Sequence, residues 1–318
     1  MELITNPTQE SIKMAAKGLI EGQLVAFPTE TVYGLGADAT NSKAVSRIYS
    51  VKGRPKDHPL IVHISSIQQI YKWALDIPEY AEKLANEFWP GPMTLILKRS
   101  ELAKDFITGG QNNVGLRVPA HPVAFDLLKE FEKLGGSGIA APSANRFGAV
   151  SPTTAAAVQE EIGKYLDPED FVLDGGPAIV GIESTIIGCT SEIPRILRPG
   201  AITADMVKAS IKIVPTISTS NLSIRVSGML PTHYAPNAKV KITGNTNSGE
   251  GFIALSNIPT PDGAVRLAAP NNLDEYAKTL YTAFRTADLH GLTTISVIPP
   301  NGDGIALAIR DRLMKASG

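Results

Sequence analysis

The residues best equipped for chemistry gather in a few short stretches. The run Lys52-Gly-Arg54-Pro-Lys56-Asp-His58 sets three cations and a histidine directly after a helix-period segment. Lysine and arginine clustered in this way can hold a triphosphate through charge-assisted hydrogen bonds. An isolated charge run is more often a solvated turn, with cations favoured at a helix C-terminus; the glycine and prolines here argue for a shaped loop. Arg117 sits in an apolar strand within NNVGLRVP (112–119), a stretch with the look of a loop aimed at a ligand, where an unpaired guanidinium is costly to bury. It therefore needs an anion, either a protein carboxylate or the carboxylate of a ligand. His63, inside LIVHI, reads equally as a ligand contact or as a satisfied core histidine.

Three more stretches have the composition of ligand-facing loops. PTETVYGLGADA (28–39) follows an apolar strand and packs polar, aromatic and glycine residues into one connection, a place where function commonly resides. Its Gly34-x-Gly36-x-x-Ala39 is a loose match to the dinucleotide fingerprint, but the next helix starts only near Asn41, so the glycines are read as permitting an irregular turn. APSANRFGAVSP (141–152) and GIESTIIG (181–188) carry Ser143, Asn145, Ser151 and Ser184. Such small hydroxyl and amide groups suit phosphate or adenosine contacts, although each taken singly is more often structural. The sequence contains no GxxxxGK[ST] phosphate loop, no GxSxG nucleophile elbow and no HExxH zinc motif. Its five histidines, at 58, 63, 121, 233 and 290, show no spacing that favours a nucleophile–base pair. A reaction driven by positioning and charge fits better.

The elements that must hold these residues alternate short apolar runs with helix-period segments, the pattern of a mixed α/β domain. Strands are expected at 24–28, 60–64, 94–98, 114–118, 138–141 and 184–188, and helices at 9–21, 42–52, 79–88, 121–134 and 153–161. Asn41 is the expected N-cap of the second helix and Gly53 its left-handed stop. The Ser/Thr/Pro-marked stretch 206–235 reads as a linker between a domain 1–205 and a smaller α/β domain 236–318. In the latter, apolar runs near 239–242, 251–255 and 293–298 alternate with helix-like 273–287 and 303–315.

The bulk numbers agree with two globular parts. The 318 residues are 43% hydrophobic and 19% charged, enough to bury a substantial core. The formal charge of −1 hides an asymmetry: 19 basic residues meet 24 acidic ones in 1–205, and 11 meet 7 in 206–318. The basic excess of the second part is too mild to establish nucleic-acid binding. Cys189 is the only cysteine, which excludes an intramolecular disulfide and a multi-cysteine zinc site. With no signal-peptide pattern and no apolar run long enough to span a bilayer, a cytoplasmic location is expected and a membrane role is not.

Taken in order, PTETVYGLGADA, KGRPKDHPL, WPGPMTLIL, VGLRVP, APSANRFGAVSPTT, GGPAIVGIEST and ILRPGAI resemble the motifs of a YrdC-like domain over residues 5–205. HYAP (233–236) and the α/β tail extend the likeness to the two-domain threonylcarbamoyl-AMP synthase family. That resemblance implies a YrdC-like twisted mixed sheet with a central basic cavity, plus a smaller Rossmann-like α/β C-terminal domain joined by a linker that can cover the cavity. It implies a nucleotidyltransferase that makes L-threonylcarbamoyl-AMP and pyrophosphate from L-threonine, bicarbonate or CO2, and ATP with Mg2+. The product would serve the threonylcarbamoyladenosine modification of tRNA, completed by a separate tRNA threonylcarbamoyltransferase.

Position by position, the resemblance implies threonine contacts at Thr31, His63, Arg117, Ala141 and Ser184, with Arg117 on the carboxylate. It implies ATP contacts at Arg54, His58, Asn113, Ser143, Ser151, Arg198 and Tyr234, and it gives Lys52 and Arg54 the catalytic role of stabilising phosphate charge. His58 stands where many relatives have asparagine. Two other readings compete: a tRNA- or double-stranded-RNA-binding module without catalysis, and carbamoyl transfer from carbamoyl phosphate. The second lacks the acylphosphatase-like and zinc-finger segments of the relatives that do it.

Overall fold

The computed structural model describes residues 1–217, 224–228 and 232–318; the parts of the expected linker at 218–223 and 229–231 lie outside the described residues. One large sheet carries the first two-thirds of the chain. Its strands run in the order Glu2–Thr5, Phe171–Asp174, Val25–Phe27, Gly34–Asp38, Ile139–Ala140, Ile61–His63, Asn113–Arg117, Met93–Arg99, Thr185–Gly188, Arg195–Arg198 and Thr216–Ile217, with Ala74–Leu75 paired to the end of Met93–Arg99. Parallel and antiparallel pairs mix, as expected.

Successive strand residues point to opposite faces, and the two faces feed separate cores. Val25, Phe27 and Ile139 pack under helices Gln9–Glu21 and Pro122–Lys133. Ala26, Leu35, Val62, Leu95 and Leu116 pack under helices Ser42–Lys52 and Glu79–Phe88. The Asn41 side chain accepts from Lys43 and Ala44 N–H, and Gly53 ends that helix in the left-handed region at φ 62°.

Two expectations are corrected. Gly34 and Gly36 do not form an irregular turn: Gly34–Asp38 is a strand, antiparallel to Val25–Phe27. Glycine is needed there because a Cβ at Gly36 would lie 2.8 Å from the Phe27 ring and 2.7 Å from Ile139 on the flanking strands. The stretch read as linker from 206 begins inside a helix, Ala204–Ile211, capped by Thr203 and burying Val207 and Ile211 in the main core.

The tail forms a four-stranded parallel sheet, in the order Lys239–Ile242, Thr294–Val297, Gly251–Ile253 and Val265–Ala268, with helices Leu273–Leu289 and Ile305–Ser317. Its core reaches across the domain boundary to Val32, Val150 and Ile182. At Gly181, with φ 81°, a Cβ would sit 2.4 Å from Lys278 Cα, so the backbones of the two domains touch directly. Among the described residues no helix is long and apolar enough to cross a membrane.

Candidate active site

A cavity of about 550 Å³ opens where the strand ends of the large sheet meet the C-terminal domain. Strands Ile61–His63 and Asn113–Arg117 run parallel with His63 paired to Arg117, so both side chains arrive together at one end of the cavity. In the adjoining residues 28–33, Thr29 Oγ1 donates to Val32 O (2.6 Å) and accepts from the Thr31 and Val32 N–H groups. That turn presents Thr31 Oγ1 to Arg117 Nη1 at 2.9 Å. Arg117 Nε donates to Gly91 O, and Nη2 lies 2.7 Å from Glu30 Oε1 in an ion pair too oblique for a hydrogen bond. The anion that burial demanded is therefore, in the first instance, a protein carboxylate. His63 is buried edge-on to Phe27, its Nδ1 without a partner among the described residues; burial, helped by the Arg117 charge, lowers its pKa to about 3, so the imidazole is neutral.

Elsewhere on the cavity wall Arg54 Nη2 donates to Pro59 O (3.0 Å) and Ser227 Oγ (3.3 Å), while among the described residues its Nε has no partner. Burial pulls its pKa from 12.5 to about 10. Arg198 donates from Nε and Nη2 to Ser184 O and from Nη1 to Ser227 O. Among the described residues neither guanidinium forms an ion pair with a carboxylate. Ser143 Oγ donates to Asn145 Oδ1 at the cavity wall. Tyr234, at φ 61°, is fully buried, its hydroxyl without a partner among the described residues; burial raises its pKa to about 12.

Thr31, Arg54, His63, Arg117, Ala141, Ser143, Ser184, Arg198 and Tyr234 all line this one cavity. The other expected site residues stand apart from it. Lys52 is buried behind the wall, its Nζ donating to Ser143 O (2.6 Å) and Asn145 O; burial and the neighbouring Arg54 hold its pKa well below normal. His58 is half-buried, edge-on to Phe147 at 5.2 Å. Asn113 lines a neighbouring cavity of about 310 Å³ that shares Ile61 and Ser227 with the first. Ser151 backs the site by donating to Glu183 Oε1 at 2.7 Å.

Residues 17–200 match the Sua5/YciO/YrdC family model, described as Telomere recombination, and 202–318 match the model for the C-terminal domain of threonylcarbamoyl-AMP synthase. The threonylcarbamoyl-AMP synthases of Pyrococcus abyssi and Bacillus subtilis are 39% and 38% identical to this chain, over 96% and 100% of it and 94% and 95% of their own lengths. This chain belongs to the threonylcarbamoyl-AMP synthase family. A crystal structure of P. abyssi Sua5 complexed with L-threonine superposes with a TM-score of 0.90 at 36% identity, covering 100% of this chain and 98% of that one.

Within this family member, sequence reasoning passed over three residues of the cavity wall, Thr29, Glu183 and His233, and Glu30 behind Arg117. Glu30 and Glu183 both lie inside motifs singled out for their neighbours, and as acids beside basic motifs they were detectable. Glu183 accepts from Ser151, Tyr281 and Arg312, the last an ion pair at 2.7 Å. Its pKa is lowered to about 2; burial opposes this, and Arg312, Arg198 and the hydrogen bonds from Ser151 and Arg312 outweigh it. Nothing in the sequence signals that Tyr281 and Arg312, from the C-terminal domain, close on this loop. Among the described residues around the cavity, the buried cations Lys52, Arg54, Arg117, Arg198 and Arg312 meet the buried carboxylates Glu30 and Glu183.

Proposed function

We propose that this chain is a threonylcarbamoyl-AMP synthase, a nucleotidyltransferase that joins L-threonine, bicarbonate or CO2, and ATP, releasing pyrophosphate. The observation that carries this reading is one cavity lined by Arg117, set beside His63 and Thr31, and by Arg54 and Arg198, which lie close enough to act on each other's charge. Buried guanidinium groups facing only neutral oxygens are unfavourable by themselves and favour a polyanion beside them.

Threonine's amine captures CO2, or displaces water from bicarbonate, to give a carbamate. A carbamate oxygen then attacks the α-phosphorus in line, and the bond to the β-phosphate's bridging oxygen breaks as pyrophosphate leaves. No covalent enzyme intermediate is needed. Thr31, Ser184 and neutral His63 surround the amino acid, and Arg117 aligns its carboxylate. Arg54 and Arg198 stabilise charge on the phosphates while the cavity holds both reactants at attack distance. Carbamate and mixed anhydride are labile in water, so Tyr234 and residues 227–228, which line the cavity, act as its cover.

Mg2+ accompanies the ATP phosphates. Among the described residues no cluster of three acidic, histidine or cysteine side chains is suited to a metal, and the carboxylates of Glu30 and Glu183 each face an arginine. The chain therefore fits an ion carried in by the nucleotide. The adenylate passes to a separate transferase acting on tRNA, and a cytoplasmic setting accords with the lone, buried Cys189. Pyrophosphate release that requires threonine and bicarbonate together, with the adenylate identified by mass spectrometry, is the expected result. ATP cleavage indifferent to threonine, or salt-sensitive tRNA binding with no ATP chemistry, would overturn the reading.

A further inference from the structure

The C-terminal domain reaches the cavity wall through Arg312 and Tyr281. Arg312, on helix Ile305–Ser317, is fully buried behind the cavity-lining residues Glu183 and Tyr234, and its Nη1 pairs with the neighbouring Asp311. Its Nε pairs with Glu183 Oε2 at 2.7 Å, its Nη2 donates to Pro199 O at 3.0 Å beside Arg198, and its guanidinium lies 5.2 Å from the Tyr234 ring centre. Tyr281 of the same domain donates to Glu183 at 2.9 Å and stacks on Tyr234 at 5.8 Å. Glu183 itself lines the cavity with Arg54 and Arg198.

A carboxylate at the nucleotide end of a site for a triphosphate is a liability. It either repels the phosphates or takes up a guanidinium meant for them. Arg198 is the guanidinium at risk, because its charge already reaches Glu183 and its own partners are neutral oxygens of Ser184 and Ser227. With Arg312 and Tyr281 in place, Glu183 is engaged on the side of the C-terminal domain and Arg198 stays free of a carboxylate.

We infer that Arg312 is a positioning residue for nucleotide binding: it holds Glu183 away from Arg198 and so makes docking of the C-terminal domain a condition for a competent ATP site. Thermodynamic reciprocity follows, and bound ATP tightens that docking. The inference rests on the proposed use of ATP at this site.

The test is calorimetric titration of the full-length protein with Mg-ATP in the absence of threonine, alongside kinetics. Arg312→Met is expected to weaken ATP binding tenfold or more and to raise KM for ATP in step, with a smaller change in KM for threonine. Adding Glu183→Gln is expected to bring ATP affinity back to within about threefold of wild type, because the charge that competed for Arg198 is gone. Unchanged ATP affinity in Arg312→Met, with only the melting temperature lowered, would reduce the residue to a structural tie and overturn the inference. A double variant as weak as the single one would overturn it as well. Should Arg312→Met not fold, Tyr281→Phe removes one hydrogen bond to Glu183 while keeping the ring; it is expected to weaken ATP binding at least twofold, and wild-type affinity there refutes the mechanism. Wild-type protein that binds ATP but shows no threonine-dependent pyrophosphate release would sink the enzymatic reading while leaving the titrations decisive for Arg312.

Discussion

Replacing Arg54 with methionine separates what this residue does for the fold from what it does for the site. Arg54 is 7% exposed; its guanidinium donates to neutral Pro59 O and Ser227 Oγ, and among the described residues its Nε has no partner. The fall in its pKa from 12.5 to about 10 corresponds to about 3 kcal/mol against holding the charge in the folded protein. The sign is clear: a base whose folded pKa is depressed carries this penalty at every pH below about 10, where it is charged in both states. Methionine removes the penalty and loses the hydrogen bonds, together about 1–2 kcal/mol. The ligand-free variant is expected to melt a few degrees higher than wild type, since about 1 kcal/mol moves Tm by roughly 2–4 °C in a chain of this order of size. ATP binding is expected to fall by about 30-fold to more than 1,000-fold, from loss of a buried charge-assisted contact of about 2–5 kcal/mol. Differential scanning fluorimetry with and without Mg-ATP reads both effects, because the ligand-induced rise in Tm disappears with the affinity. A variant that melts well below wild type without ligand and still gains stability from ATP would refute the reasoning.

Arg117→Ala strands the Glu30 carboxylate and is expected to lower stability by about 3–5 kcal/mol and impair threonine use; adding Glu30→Gln should recover much of the Tm but not the activity, and recovery of both in a threonine titration would contradict the role given to Arg117. Lys52→Met frees Ser143 and Asn145 carbonyls and is expected to reduce kcat/KM for ATP at least tenfold through loop disorder; an unaltered hydrogen-exchange pattern at 143–146 would count against that route. On acidification His63 and His233, each depressed to about 3, must accept protons that folding disfavours, and Glu183, depressed to about 2, must lose its ion pair. Stability is therefore full above about pH 6.5 and falls as pH drops through 6 toward 3. A Tm that is flat from pH 7 to pH 4.5, or unchanged by His63→Gln over that range, would contradict it. Gly181→Ala should lower Tm by several degrees, since Gly181 adopts φ 81° and a Cβ would strike the Lys278 backbone; a neutral substitution would show that the domains part easily.

What the sequence disclosed was mostly local. Asn41 and Gly53 mark the ends of their helix because capping depends on neighbours three or four residues away, and the structure places both as read. The strand ends bearing His63 and Arg117 were legible for the same reason: apolar runs with one polar residue at the terminus. Gly34–Asp38 was misread because a glycine-rich strand has no alternating side chains, and what makes it a strand is the bulk of Phe27 and Ile139 on either side. Lys52 shows the limit at the site. Its type and place in KGRPK suit a phosphate, but the helix that carries it turns the ammonium toward the carbonyls of Ser143 and Asn145, which are 91 and 93 residues away. Glu183 and Arg312 are 129 residues apart, and no local pattern announces such a pair.

The distribution of counter-charges matches the two substrates proposed. At the Arg117 end the cation stands beside a carboxylate, Glu30, so that end is close to neutral overall. A zwitterionic amino acid needs directional contacts more than net field, and a fixed pair of opposite charges supplies one partner for each of its termini. At the other end the chain stabilises Lys52, Arg54 and Arg198 with the oxygens of Pro59, Ser143, Ser184 and Ser227. Neutral oxygens lower the energy of a buried cation without cancelling its charge, so the positive potential remains for a ligand carrying several negative charges. Glu183, the acid that lines the cavity beside Arg54 and Arg198, is drawn off by Arg312 of the second domain. Had Arg54 and Arg198 each been given a carboxylate, the apo protein would be more stable and the cavity would offer a triphosphate no net attraction; the fold instead carries the cost of unneutralised charge where the nucleotide is expected to bind.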